Sequence, residues 1–226
     1  MLIETVKSSA LYDLNQSLAG PFLSRLEWPW QALSQIHELI LQIGPTLSSS
    51  EFKQIDENIW VACDCQIAST ASLCGPLIIG HETEVRHGAF IRKDALIGNQ
   101  AVIGNSTELK NVILFNGVEV PHFNYVGDSI LGYKAHMGAG AIISNVKGDR
   151  SLISIHIGPE RLETGLRKMG ALLGDRAEIG CNSVLNPGSI IGRNTQVYPL
   201  TMVRGTLPPN CILKQSGDIV AKASTL

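Results

Sequence analysis

Aliphatic residues recur every six positions from Ile67 onward: Leu73, Ile79, Val85, Ile91, Ile97, Ile103 and Leu109 follow in unbroken phase. That period is neither the 3.6 of a helix nor the 2 of a half-buried strand. Four places after most of these stands a small residue, at Ala71, Thr83, Ala89, Ala95, Ala101 and Thr107, and glycine directly follows Ile79, Ile97 and Ile103. The same phase returns at Leu173, Ile179, Leu185, Ile191, Val197 and Val203, with Ala177, Ser183, Ser189, Thr195 and Thr201 at the small position. Such a repeat predicts an all-β solenoid. Each short strand points one aliphatic side chain inward, and glycine or asparagine takes up positive φ in the turns.

Between the two blocks Leu114, Val120 and Val126 keep the period, and a one-residue slip then gives Leu131, Met137 and Ile143. The slip falls inside Pro121–Asn145, which also carries His122, Tyr125, His136 and Asn145. A register change needs a bulge or an altered turn, and such places are where a repeat scaffold is adapted to a site. Residues 146–170 then break the repeat and bring Lys147, Arg150, Arg161, Arg167 and Lys168 together. An insertion of that length is too long for a turn, and it reads either as a solvated loop or as a flap that meets phosphate or a neighbouring subunit. Residues 1–50 differ again. Leu33, Ile36, Leu39, Ile40 and Ile43, after Trp28-Pro29-Trp30 and before Gly44-Pro45, predict an amphipathic packing helix, and Ser48, Ser49 and Ser50 a linker. The division expected is therefore an N-terminal helical segment and linker over 1–50 and a β-helical domain over 51–226 with the insertion at 146–170.

Composition limits the function classes. The formal net charge of −2 gives no electrostatic motive for nucleic acid or an anionic membrane, so an anionic ligand has to be met by local Lys and Arg. No apolar run reaches the roughly 18 residues of a membrane span, and no signal-peptide pattern opens the chain, which gives a cytoplasmic reading. Cys63, Cys65, Cys74, Cys181 and Cys211 are odd in number and lack paired zinc spacing. They read as reduced thiols, with the Cys63/Cys65 pair structural rather than metal-binding. His81 and His87 lie six apart and so stack on successive faces at the surface, and no metal site is expected.

The hexad pattern resembles the hexapeptide-repeat family, mostly acyltransferases, whose members fold as a left-handed parallel β-helix with three hexads to a coil. The resemblance implies six to seven coils and a rod on the order of 30 Å long. Within that family, H-F-N-Y-V-G-D-S-I-L-G followed by M-G-A-G-A-I-I-S-N is similar to the H-x-x-Y-x-G-D and I-G-A-G-T-x-x-x-N motifs of the acetyltransferase domain of bifunctional glucosamine-1-phosphate acetyltransferase/UDP-N-acetylglucosamine pyrophosphorylase. I-R-K-D-A-L-I-G and G-N-S-T-E-L-K-N fall where that domain has R-P-G-A and G-N-F-V-E-x-K. The likeness runs from about Ile79 to Asn145 and resumes around Leu173–Gly192. W-P-W-Q-A-L and E-R-L-E-T-G-L-R-K-M-G-A-L-L-G-D also resemble segments of archaeal sugar-1-phosphate enzymes. No glycine-rich nucleotide loop precedes the repeat, so uridylyl transfer is not expected.

The resemblance implies acetyl-CoA as co-substrate and an amino sugar 1-phosphate as acceptor, in sites between the rods of a homotrimer. It makes His122 the general base and puts Asn145 beside the reacting amine. Arg92, Lys110 and Tyr125 would contact the sugar phosphate, with His136 standing where asparagine is usual before the G-A-G. Cys181 would lie near the acetyl group, and Arg204 and Lys214 would meet the phosphates of CoA. The chemistry suits these types: the amine must lose a proton as its C–N bond forms, an imidazole can take it near neutral pH, and Arg and Lys meet phosphate. Where the family places a sugar-binding lysine this chain has Ser151, with Lys147 and Arg150 nearby. Two other readings stay open: a non-catalytic trimeric scaffold or sugar-nucleotide-binding subunit, and a metal hydratase like the γ-class carbonic anhydrases.

Overall fold

The computed structural model describes residues 2–223 and shows a left-handed parallel β-helix. Each hexad contributes a strand of two to four residues, and strands stack one coil above the next to form three flat faces. The first face carries Val61, Ile79, Ile97, Leu114, Leu131, Leu173, Ile191 and Leu207 inward, in parallel register. The second carries Ile67, Val85, Ile103, Val120, Met137, Ile179, Val197 and Leu213. The third carries Leu73, Ile91, Leu109, Val126, Ile143, Leu185 and Val203. Two faces thus hold eight strands, more than the six to seven coils expected. The additional strands are Ile59–Ala62 at one end, whose Val61 is in phase six residues before Ile67, and Thr206–Leu207 with Cys211–Leu213 at the other, where Leu207 follows Val203 by four and leaves the hexad phase.

Except for Ile67 and Leu73 near the N-terminal end, these inward aliphatics are at most 6 % exposed and merge into one core. At the corners the small residues are buried because the chain turns there against the coil below, and Thr83, Thr107, Ser183 and Thr195 use their hydroxyls to hold carbonyls of the next coil. Asparagine, aspartate and glycine sit repeatedly at positive φ in the turns, as at Asn111, Asp128, Asn182 and Gly140.

The register slip is double. Leu114 already follows Leu109 by five residues, and Leu131 follows Val126 by five, so the pairs Leu109↔Val126 and Leu114↔Leu131 are each 17 apart. Here the third and first faces run together as two continuous strands, Glu108–Leu114 and Tyr125–Leu131, stacked on one another. One shortened coil above another costs no register, and the paired bends carry Asn111 and Asp128 at one corner.

The N-terminal segment covers the first face. Instead of one helix, the structure has a 3-10 turn at Pro29–Ser34 and an α-helix at Ile36–Ile43, separated where Gln35 leaves helical geometry at φ −124°. Short helical turns that the sequence did not reveal precede them at Leu2–Val6, Ser8–Leu11, Leu14–Gln16 and Gly20–Leu23. Tyr12 packs on Phe115 with ring centroids 5.0 Å apart, and Trp30, Ile36 and Ile40 are buried with the coil residues. Buried Asp175 fixes the segment by accepting the N–H of Asp13 at 2.6 Å while also accepting that of Tyr133 at 2.8 Å.

The insertion is more ordered than a loop. Ser154–Ile157 and Glu160–Glu163 form an antiparallel hairpin, and Ile153, Ile155 and Ile157 point into the core at no more than 2 % exposure. Among the described residues no helix is long and apolar enough to cross a membrane.

Candidate functional site

Two corner columns bound the third face. Along the corner where that face meets the first lie Arg92, Lys110, Asn111, Asp128 and Asn145, and further down Asn186 and Arg204. Backbone hydrogen bonds between successive coils hold the column in register, such as Arg92 N–H to Leu109 C=O at 2.9 Å and Asn186 N–H to Val203 C=O at 3.0 Å.

At its centre is Asp128, a carboxylate the sequence reading did not single out. Its side chain is 4 % exposed, and it meets the Lys110 ammonium at 3.1 Å. It also accepts from Asn111 Nδ2 at 2.9 Å and from Asn145 Nδ2. Asn145 Nδ2 donates at 3.2 Å to the Tyr125 hydroxyl as well. Since a carboxylate can only accept, the nitrogen of Asn145 faces inward and its Oδ1 is left toward solvent to accept from a ligand. Burial first, and then the charge of Asp128, push the Tyr125 phenol above its ordinary range, so it stays a neutral hydroxyl. Arg92 lies at the rim, with Nη1 2.9 Å from Glu108 Oε1. The structure therefore brings together Arg92, Lys110, Tyr125 and Asn145, and adds Asp128, Glu108 and Asn111. The signal for Asp128 was in the G-D of the quoted motif, the one acid in the otherwise buried strand Tyr125–Leu131.

His122 stands on the other column, where the second face turns into the third. Its ring is exposed and without a hydrogen-bond partner among the described residues. Its backbone is fixed by Asn124, whose Oδ1 accepts the His122 N–H at 3.0 Å and whose amide donates to Gly138 and Ala141 carbonyls. Below it follow Ala139 and then Cys181, linked by the Gly140 N–H to His122 C=O and the Asn182 N–H to Ala139 C=O bonds. Cys181, exposed with a free thiol, thus shares the His122 column two coils down.

The other expected residues lie apart. His136 is on the second face, with Nδ1 3.1 Å from Glu178 Oε2, and belongs to neither column. The hydrogen bond that its ring donates to the Glu178 carboxylate holds its pKa above the ordinary imidazole value, against the opposing effect of burial. Arg204 is on the Asn145 column, but Lys214 opens the C-terminal turn between Cys211–Leu213 and Ile219–Ala221, so the two do not converge. Of the remaining histidines, His81 faces Asp64, His87 faces Thr70 and His37 faces Asp94. Among the described residues no three His, Cys, Asp or Glu side chains converge as a metal site.

Outward on the third face, between the columns, Phe90, Val184 and Met202 are 39 %, 39 % and 64 % exposed, and Phe123, Tyr198 and Leu200 flank them. Val184 and Met202 stand on adjacent coils, with Glu108, Tyr125 and Ile142 between them and Phe90, and exposed apolar side chains grouped on a flat face mark an interaction surface.

Residues 73–158, which hold the upper part of both columns, match the family profile described as the GMPPB C-terminal domain. A bifunctional sugar-1-phosphate nucleotidylyltransferase/acetyltransferase of Sulfurisphaera tokodaii is 34 % identical over 98 residues, covering 43 % of this chain and 24 % of that one. The chain thus spans about a quarter of the length of the bifunctional relatives it matches. Among solved structures, PerB from Caulobacter crescentus in complex with CoA and GDP-perosamine aligns at 18 % identity, over 83 % of this chain and 66 % of that chain, with a TM-score of 0.38. The Escherichia coli protein named "Putative uncharacterized acetyltransferase YaiX" is 31 % identical over 222 residues, 88 % of this chain and 91 % of its own. That likeness covers most of both chains, and the chain belongs, with the Escherichia coli protein, to the hexapeptide-repeat acetyltransferases.

Proposed function

We propose that the protein is an acetyl-CoA-dependent N-acetyltransferase whose acceptor is an amino sugar 1-phosphate. The observation that carries this reading is the unpartnered imidazole of His122, exposed at one edge of the third face, with the Tyr125–Asn145–Asp128–Lys110 network ordered at the other. A base free of competing contacts and a rigid polar wall are what an amine acceptor requires.

In the proposed reaction the neutral amine nitrogen attacks the thioester carbonyl carbon, and the C–N bond forms as His122 takes the proton the nitrogen loses. The tetrahedral oxyanion collapses, the C–S bond breaks, and the thiolate leaves to be protonated as CoA. Asn145 Nδ2 is already occupied by Tyr125 and Asp128, so a backbone N–H is the better oxyanion donor, and Asn145 Oδ1 would orient the amine. The pantetheine arm would run along the His122 column, past Ala139 and Cys181.

One chain does not close this site, because the two columns lie on opposite edges of the third face. A homotrimer that docks one rod's exposed apolar side chains, Val184 and Met202 on adjacent coils and Phe90 further up the same face, against its neighbours would roof the site and exclude water. The helical segment over 1–50 is proposed as a packing element of the same domain.

Release of thiol from acetyl-CoA with glucosamine 1-phosphate and related amino sugar phosphates tests the reading, with His122→Ala as control. Release that depends on the amine and falls at least a hundredfold in His122→Ala is expected. No release from a well-folded oligomer would favour a binding scaffold.

A further inference from the structure

The 146–170 insertion encloses a cleft of about 480 Å³ against the lower part of the Asn145 column. That size is in the range of sites that hold a small molecule. Its walls carry Lys147, His156 and Arg204, together with Asp149 and Asn186. Besides His156 the cleft has two cations and one carboxylate.

The cations differ in their commitments. Arg204 and His156 have no side-chain partner among the described residues, whereas Lys147 Nζ donates to the Leu152 carbonyl at 2.7 Å with two further protons to give. Asp149 is held ionised by the Ser151 N–H and hydroxyl, which lower its pKa. Ser154 adds an independent observation. It is 4 % exposed, it lines the cleft, and its hydroxyl has no partner. A buried hydroxyl left unsatisfied is unfavourable unless a ligand or water completes it.

The cleft is built by design of the backbone. Gly188 and Gly205 have φ of +80° and +81°, and a Cβ on Gly188 would lie 2.9 Å from Ile153 Cγ2, so only glycine lets the hairpin approach this closely. The returning strand is stitched to the site itself by Met169 N–H to Asn145 C=O at 3.0 Å and Gly170 N–H to Asp128 C=O at 2.8 Å.

By contrast, the cations expected to hold phosphate are already neutralised: Arg92 by Glu108 and Lys110 by Asp128. We propose that the acceptor's phosphate is bound in the insertion cleft by Arg204, His156, Lys147 and the Ser154 hydroxyl, while Asp149 and Asn186 take hydroxyls of the sugar. The hairpin then replaces the family lysine that is absent at Ser151, and the length of the insertion sets which phosphorylated sugars fit. This extends the proposed function and rests on it for the identity of the ligand as acceptor, but the binding itself is separable from catalysis.

Equilibrium binding of glucosamine 1-phosphate, without acetyl-CoA, is measured by calorimetry for the wild-type protein, Arg204→Gln, Arg204→Lys and Arg92→Gln, with inorganic phosphate and glucosamine as separate probes. Loss of one charge-assisted contact predicts about a ten- to hundredfold weaker Kd in Arg204→Gln, partial recovery in Arg204→Lys and a change below about threefold in Arg92→Gln. Inorganic phosphate should bind and shift the His156 ring protons in NMR, and glucosamine alone should do neither. Weakening confined to Arg92→Gln, or no binding of either phosphate probe to the wild-type protein, overturns the proposal. Binding that follows this pattern while thiol release is absent leaves the cleft standing and removes the transferase reading.

Discussion

The ammonium of Lys110 lies 3.1 Å from the carboxylate of Asp128, one coil away, and that carboxylate is 4 % exposed. The pair joins two coils at the corner where both are one residue short, and the amides of Asn111 and Asn145 complete the anion's shell. Truncating one partner of a pair this buried leaves the other charge short of compensation. Lys110→Met should therefore cost about 2–3 kcal/mol in urea unfolding. Adding Asp128→Asn should cost less than the sum of the two single changes, a coupling that a double-mutant cycle measures. Strict additivity would show that the pair carries no mutual stabilisation.

His136 and Glu178 form a hydrogen-bonded pair on the second face. Because the folded-state pKa of His136 is raised, protonated His136 stabilises the fold fully below the ordinary imidazole value, and that contribution disappears as pH rises through the folded value. Glu178→Gln should lower the His136 pKa in an NMR titration and flatten the dependence of stability on pH above about 6.5. Catalysis should be little changed, since His136 faces neither column. A large loss of thiol release in His136→Ala would return this residue to the site.

The apolar strip predicts assembly. Val184→Glu with Met202→Glu puts two like charges where Val184 and Met202 stand exposed on adjacent coils. Neither side chain is part of the core, so far-UV circular dichroism and the melting profile of the coils should persist. Light scattering should report a smaller species, and thiol release should fall together with the mass. A wild-type protein that is monomeric at every concentration would sink the shared-site arrangement.

The hexad period was legible because every sixth side chain faces the same closed interior, without a break from Ile67 to Leu109 and again from Leu173 to Val203. The double shortening was harder to see. Leu114 and Leu131 are each displaced by one, but only the shift at Leu131 shows once Leu114 is taken as the new origin, and it is the stacking that reveals both. The insertion carried its own signal in Ile153, Ile155 and Ile157, a period-2 alternation masked by the surrounding charge. Residues 2–23 have no period because their 3-10 and single-turn helices are shaped by the first face, with Tyr12 fitted to Phe115 and Asp13 to Asp175. For the site, the motif supplied His122, Tyr125 and Asn145. It could not show that Lys110 and Arg92 are already paired, because that depends on which carboxylates the coils stack beneath them.

Asn111 links the N-terminal segment to the polar network. Its Nδ2 donates at 2.9 Å both to the Leu33 carbonyl, in the turn Pro29–Ser34, and to Asp128 Oδ1. Its φ of 55° makes glycine the replacement that keeps the backbone while deleting both bonds. Asn111→Gly should cost about 1–2 kcal/mol for the two lost bonds, partly through the greater freedom of the unfolded chain. Leu33 would lose its tether beside Trp30, so tryptophan emission should shift to the red at denaturant concentrations that leave the coil circular dichroism intact. With Asp128 short of one donor, Asn145 should lose its fixed orientation and kcat for thiol release should fall more than KM rises. Unchanged kinetics in a variant that does release the N-terminal segment would show that the network orients nothing the reaction uses.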